Sequence, residues 1–219
     1  MVTLKDVQAN PLVKTFIEKG NEHLEQMGFT DHGVLHVSLV AELSREILTK
    51  LGYGKRCAEL ASIAGYMHDI GNVISRSGHS QSGALMAIEI LDRMGMEPAE
   101  IAIIAAAIGN HDEGYGHPVN EVAGALILAD KSHVHRNRVR NTEIVTFEIH
   151  DRVNYAVEHS LLSIDEKKKV ITMELAIDIN ICPVMEYFEI FLSRMVMCRR
   201  AATFLGCEFE LLINGAKLL

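Results

Sequence analysis

Through the first two thirds of the chain, apolar residues recur at steps of three and four, the period of a helix with one buried face. Asn10 followed by Pro11 supplies an N-cap and a first-turn proline, which predicts a helix to about Met27, before Gly28. Asp31 can cap a second helix that stops at Gly52, with Leu39, Val40, Leu43, Ile47 and Leu51 on one stripe. Further helices are predicted from Arg56 to His68 and from Ser80 to Gly95. Pro98 opens another through Ile101, Ile104, Ala105 and Ile108, and Asn120 caps a sixth through Val122, Leu126 and Ala129.

Beyond about residue 140 the period shortens to two. Val153, Tyr155, Val157 and Leu161 share one face of a predicted strand, and Ile171, Met173, Leu175, Ile177 and Ile179 one face of the next. Pro183 opens a helix carrying Val184, Phe188, Phe191, Met195, Cys198, Ala202 and Leu205, Gly206 ends it, and Phe209, Leu211 and Ile213 alternate in a last strand. The expected fold is therefore mainly α: a helical bundle over residues 1–140, and a small antiparallel ββαβ layer over residues 141–219. No Pro/Gly/Ser linker separates the two, so the layer is expected to pack directly on the bundle.

Composition narrows the function class. The chain has 219 residues, 48% hydrophobic and 23% charged, ordinary values for a globular protein. Its 29 acidic residues outnumber 21 basic ones for a net charge of −8, which argues against a nucleic-acid binder. Four cysteines without a CxxC pair read as reduced thiols. The amino terminus is polar, and the apolar stretch 101–108 is too short to span a bilayer, so no membrane association and a cytoplasmic location are expected.

The eleven histidines carry the chemistry. His36 falls on the apolar stripe of its helix, His68 and Asp69 end another, His111 continues an apolar face, and Asp130 ends one. Imidazole and carboxylate groups on buried faces are rare unless paired or bound to metal. Their mixture suits Fe, Mn, Ni, Co or Zn, and three or four such ligands leave room for water to become the nucleophile.

His36, the pair His68-Asp69 and the distant Asp130 resemble the signature of the HD-domain superfamily of metal-dependent phosphohydrolases. The resemblance covers residues from about 30 to 135 and extends to the runs HDIGN (68–72), HSQSGALMAIEIL (79–91), IGNHDEGYGHP (108–118) and LILADK (126–131). It implies one or two divalent metal ions: His36, His68, Asp69 and Asp130 at the first, and Asp69 as bridge with His79 and His111 at the second. Catalysis would hinge on Asp69. Asn72, Asn110 before His111, and Gly116-His117-Pro118 depart from the subgroup that opens cyclic dinucleotides, so the likeness points to a shared metal site rather than a shared substrate.

Around these ligands, His32, Arg76, Lys131 and His133 are candidates for contact with substrate or ligand, and Asp112 or Glu113 for proton relay. The run Arg136, Arg138, Arg140 is the only dense basic stretch; it reads first as a solvated connector to the second domain, with binding of a polyphosphate tail as the alternative. The expected activity is hydrolysis of a phosphate ester or anhydride in a small phosphorylated metabolite or nucleotide, with a metal-held hydroxide as nucleophile. The alternatives are a di-iron oxygenase on the same scaffold, or a non-catalytic ligand-binding module. The edges of a small sheet also make a homodimer a reasonable expectation.

Overall fold

The computed structural model describes residues 1–140 and 149–219. The helical part holds α1 (Leu4–Ala9), α2 (Pro11–Gln26), α3 (Val34–Lys50), α4 (Lys55–Met67), α5 (His79–Arg93), α6 (Pro98–Gly109) and α7 (Glu121–Ser132). Asn10 caps α2 and Asn120 caps α7 through their side-chain oxygens, as their positions before Pro11 and Glu121 imply. The helix predicted to be capped by Asp31 starts two residues later, at Val34, with Gly33 as its N-cap; the Asp31 side chain accepts from the Gly33 amide at 3.3 Å. The short α1 was not legible as a helix; Thr3 and Asp6 close it with a reciprocal cap.

Two helices are central. Every residue from Leu60 to Met67 of α4 and from Val122 to Ala129 of α7 is buried, so neither shows a polar face there. Around them pack α3, which lies tightly along α4, and the antiparallel neighbours α5 and α6. The closeness of α3 and α4 depends on Gly65: a Cβ there would lie 2.8 Å from the Ala41 Cα.

The carboxy-terminal part contains α8 (Ile149–Ala156), β1 (Val157–Asp165), β2 (Val170–Ile177), α9 (Val184–Phe204), β3 (Glu208–Ile213) and β4 (Ala216–Lys217). The strands form one sheet in the order β1-β2-β3-β4. The expected ββαβ order is present, and a short hairpin strand follows it. The sheet is mixed rather than antiparallel: α9 crosses over between β2 and β3, and a crossover returns the chain parallel. Buried Ile171, Met173, Leu175 and Ile177 of β2, and Phe209, Leu211 and Ile213 of β3, line its inner face.

The first predicted strand needs correction. Val153 and Tyr155 belong to α8, and the inward face of β1 carries Leu162 rather than Leu161, which is 46% exposed. A register shift between Val157 and His159 is the reason: one extra residue moves the following side chains to the opposite face. Ile179, likewise, lies past the end of β2 and is exposed.

Helix α9 packs on α7, where Leu205 sits against Gly124 and a Cβ at Gly124 would approach it to 3.1 Å. This contact brings the carboxy-terminal layer onto the bundle. The division expected at 140/141 borders residues 141–148, outside the described residues. Among the described residues, no helix is long and apolar enough to cross a membrane.

Candidate metal centre

The residues singled out by the sequence come together at the ends of helices. His36 stands in the first turn of α3, His68 caps the C-terminus of α4, and Asp69 follows it into the 3-10 turn Ile70–Val73. His79 is the first residue of α5, His111 follows the end of α6, and Asp130 lies in the last turn of α7. His36, His68, Asp69, His79 and His111 are all buried.

Their ligating atoms converge. His36 Nε2 lies 3.3 Å from His68 Nε2, 3.4 Å from Asp130 Oδ1 and 3.6 Å from Asp69 Oδ2. His68 Nε2 is 3.2 Å from Asp69 Oδ2 and 3.7 Å from Asp130 Oδ1. On the other side, His79 Nε2 is 3.2 Å from His111 Nε2 and 3.5 Å from Asp69 Oδ1. The two oxygens of Asp69 thus face the two halves of the cluster.

Three imidazoles are oriented by one device. The Nδ1–H of His68 donates to the Gly65 carbonyl at 2.8 Å, that of His79 to Arg76 at 3.0 Å, and that of His111 to Ile108 at 2.6 Å. Each partner lies three residues earlier in the chain. A carbonyl can only accept, so the proton sits on Nδ1 and Nε2 presents a bare lone pair to the interior. His36 differs, because its Nδ1 meets His133 Nδ1 at 2.8 Å, with the two rings stacked.

A divalent metal fits these residues. The His79 and His111 lone pairs face each other at 3.2 Å, an arrangement that is repulsive without a cation between them. Asp69 Oδ2 is buried and has no hydrogen-bond donor. Ligands held about 2.0–2.2 Å from a common ion stand roughly 3.0–3.5 Å apart, close to the separations here. Among the described residues, two overlapping groups satisfy the spacing for an ion, His36/His68/Asp130 and His68/Asp69/His111.

The electrostatics agree with that reading. Burial, helped by the nearby Arg138 cation, lowers His36 to about 4, and burial carries His111 well below its usual range, so both stay neutral as ligands must. Burial opposes ionisation of Asp130 as well, but Lys131 beside it prevails and holds the carboxyl well below the ordinary range.

The surrounding candidates take distinct places. Lys131 is buried and bridges Asp130 Oδ2, at 2.6 Å, and Glu113 Oε2, at 3.0 Å. Glu113, paired also with Arg194, is kept ionised against the effect of its own burial, so it is unsuited to donate a proton; burial raises Asp112 instead. His32 stands edge-on to His36 with ring centroids 5.4 Å apart, and Arg76 donates to the Asn72 side chain at 3.5 Å. His133 stands behind His36 and does not line the cavity around the ligand cluster.

Two residues at the site were not among the candidate site residues. Arg138 is no solvated connector: it is 5% exposed and donates to the carbonyls of Asp31 and His133. Arg194 of α9 reaches the same cavity from the carboxy-terminal layer. The sequence held one usable signal for Arg194, its step of three from Phe191 on the inner face of α9.

Residues 34–135 match the HD domain family. The match takes in 102 of the chain's 219 residues. All six proposed ligands fall inside the matched residues, whereas Arg138 and Arg194 fall outside them. The chain is also similar to the uncharacterized protein MJ1020 of Methanocaldococcus jannaschii, 28% identical over 153 residues. That alignment takes in 60% of this chain and 59% of the relative, so the chain spans about three fifths of the curated relative's length.

Proposed function

We propose that this HD protein is a metal-dependent phosphohydrolase that cleaves a phosphate ester or anhydride of a small metabolite or nucleotide. The observation that carries the reading is Asp69, whose two oxygens face His36/His68 and His79 from one carboxylate, one of them without any other partner. His36, His68, Asp69 and Asp130 would hold one ion, and His79 and His111 would share Asp69 with a second. Divalent ions held there lower the pKa of water and offset the charge on phosphoryl oxygens.

The chain's own residues supply the rest. The carbonyls of Gly65, Arg76 and Ile108 keep three imidazoles in the ligating tautomer before any ion arrives. Lys131 and the nearby arginines give a phosphate a positive wall in a chain that is otherwise acidic.

The test begins with metal analysis of the protein as purified. A panel of phosphomonoesters, phosphodiesters and nucleotides follows, with Mn²⁺, Ni²⁺ or Fe²⁺ added under nitrogen. Metal-dependent phosphate release that disappears in His68→Ala is the expected result. No phosphate release under nitrogen, with oxygen consumed when air is admitted, would instead establish the oxygenase alternative. A ligand that binds equally well to wild type and Asp69→Ala without turnover would establish a binding module.

A further inference from the structure

Two cavities meet beside the ligand cluster. The inner one is walled by Asp69, His79, His111, Asp130 and Lys131. The outer one, of about 140 Å³, includes Phe29, His150, Asn154 and Phe191 in its lining. Their shared lining is His32 and three arginines, Arg76, Arg138 and Arg194. Three guanidinium groups therefore stand between them.

Each arginine is fixed from behind. Arg194 lies over the Phe191 ring, 4.3 Å from its centroid, and pairs with Glu113. Arg76 lies over Phe29 at 5.6 Å. Arg138 is buried against two backbone carbonyls, at 3.0 and 2.7 Å, and among the described residues no carboxylate lies within 4.0 Å of it or of Arg76. A buried cation without an anionic partner is costly. Asp69 and Asp130 offset part of that cost across the cavity, but once they face divalent ions their charge is neutralised. The position then lacks an anion.

We infer that Arg138 and Arg194 clamp the terminal phosphate dianion of a phosphomonoester against Arg76, with its organic group in the outer cavity. This rests on the phosphohydrolase reading and adds a substrate class to it. A planar guanidinium can take two oxygens at once, and a terminal phosphate offers three oxygens and two charges, where a diester offers two oxygens and one. The outer cavity is smaller than the roughly 300–1,000 Å³ of sites for drug-sized ligands, and fits an organic group of about sugar size. The carboxy-terminal layer thereby becomes part of the binding site, since α9 contributes Arg194.

Inorganic phosphate is the probe, titrated calorimetrically into the metal-loaded protein, with metal content and melting temperature measured for every variant. Arg194→Gln and Arg138→Lys are each expected to weaken phosphate binding about 10- to 100-fold, the loss of one charge-assisted contact, with metal content unchanged. Arg194→Lys should lose less than Arg194→Gln, and KM for a sugar phosphate should rise in step with the phosphate Kd. Unaltered phosphate affinity in the Arg194 variants with metal retained would overturn the clamp while leaving phosphohydrolase activity standing. A loaded wild type that binds no phosphate and cleaves no ester would overturn the underlying reading, and the clamp with it.

Discussion

His36, His68 and Asp130 reach the centre from α3 and from the two central helices, α4 and α7, whereas His79 and His111 come from the N-terminal edge of α5 and the residues just past α6. The first half joins two imidazoles to two carboxylates, Asp130 and Asp69. The second has two imidazoles and only the shared Asp69. Charge and rigidity both favour the first half as the tighter site, because carboxylates attract a divalent ion and buried helices hold ligand geometry before it arrives. The second half depends on a backbone contact: a Cβ at Gly71 would collide with the His79 carbonyl oxygen and stand 2.6 Å from the Gly83 nitrogen. A centre built this way should fill in order.

Ligand deletions break the comparison most strongly. Asp130→Ala removes a carboxylate from the tighter half and leaves Lys131 buried beside a lost partner. Turnover should fall about a thousandfold or more, on the order of 4 kcal/mol of barrier, and metal analysis should find both ions reduced. His79→Ala should keep one ion per chain and lose about 10- to 100-fold in rate, roughly 1.4–2.7 kcal/mol. Equal metal loss in the two variants would show that the halves are not ranked.

The glycines separate the halves without removing a ligand. Gly71→Ala should displace the start of α5 and cost about 1–3 kcal/mol of stability, with the second ion lost and the first retained. Gly65→Ala should cost a similar amount by forcing α3 from α4, but here the first ion should weaken, because Gly65 also carries the carbonyl that orients His68. Chemical denaturation together with metal stoichiometry distinguishes the two outcomes.

Why the sequence showed so much of this centre, and not all of it, has a physical basis. His36, His68 and Asp130 were visible because a titratable residue on an apolar stripe is conspicuous, and helix periodicity places it reliably. The inner faces of β2 and β3 were equally plain, since alternation over six to eight residues has a single solution. Beta1 was misread because a bulge changes which residues face inward without leaving a mark in the pattern. Arg138 was misplaced for a related reason. Its neighbours Arg136 and Arg140 lie in surface ion pairs with Glu158 and Glu25, and local charge density does not say which of three arginines turns inward. Arg194 is a tertiary fact, created where α9 docks on α7.

His133 offers the finest distinction between the ligands. His68, His79 and His111 donate to backbone carbonyls, which no side-chain substitution removes. His36 is held instead by a side chain, His133 Nδ1 at 2.8 Å. For His36 to present Nε2 as a lone pair, its Nδ1 must carry the proton and His133 Nδ1 must accept it. His133 can do so only while neutral, and burial, aided by Arg138, lowers it to about 2. His133→Phe keeps a ring of similar shape but removes the acceptor, so His36 loses its fixed tautomer while the other three imidazoles keep theirs. Affinity for the first ion should fall about 10- to 100-fold, measured by competition with a chelating dye, and the second ion should be affected less. His133→Gln, whose side-chain oxygen can accept, should recover part of the loss. If His133→Phe binds the first ion as wild type does, the stacked pair contributes packing only, and the four imidazoles are oriented with equal security.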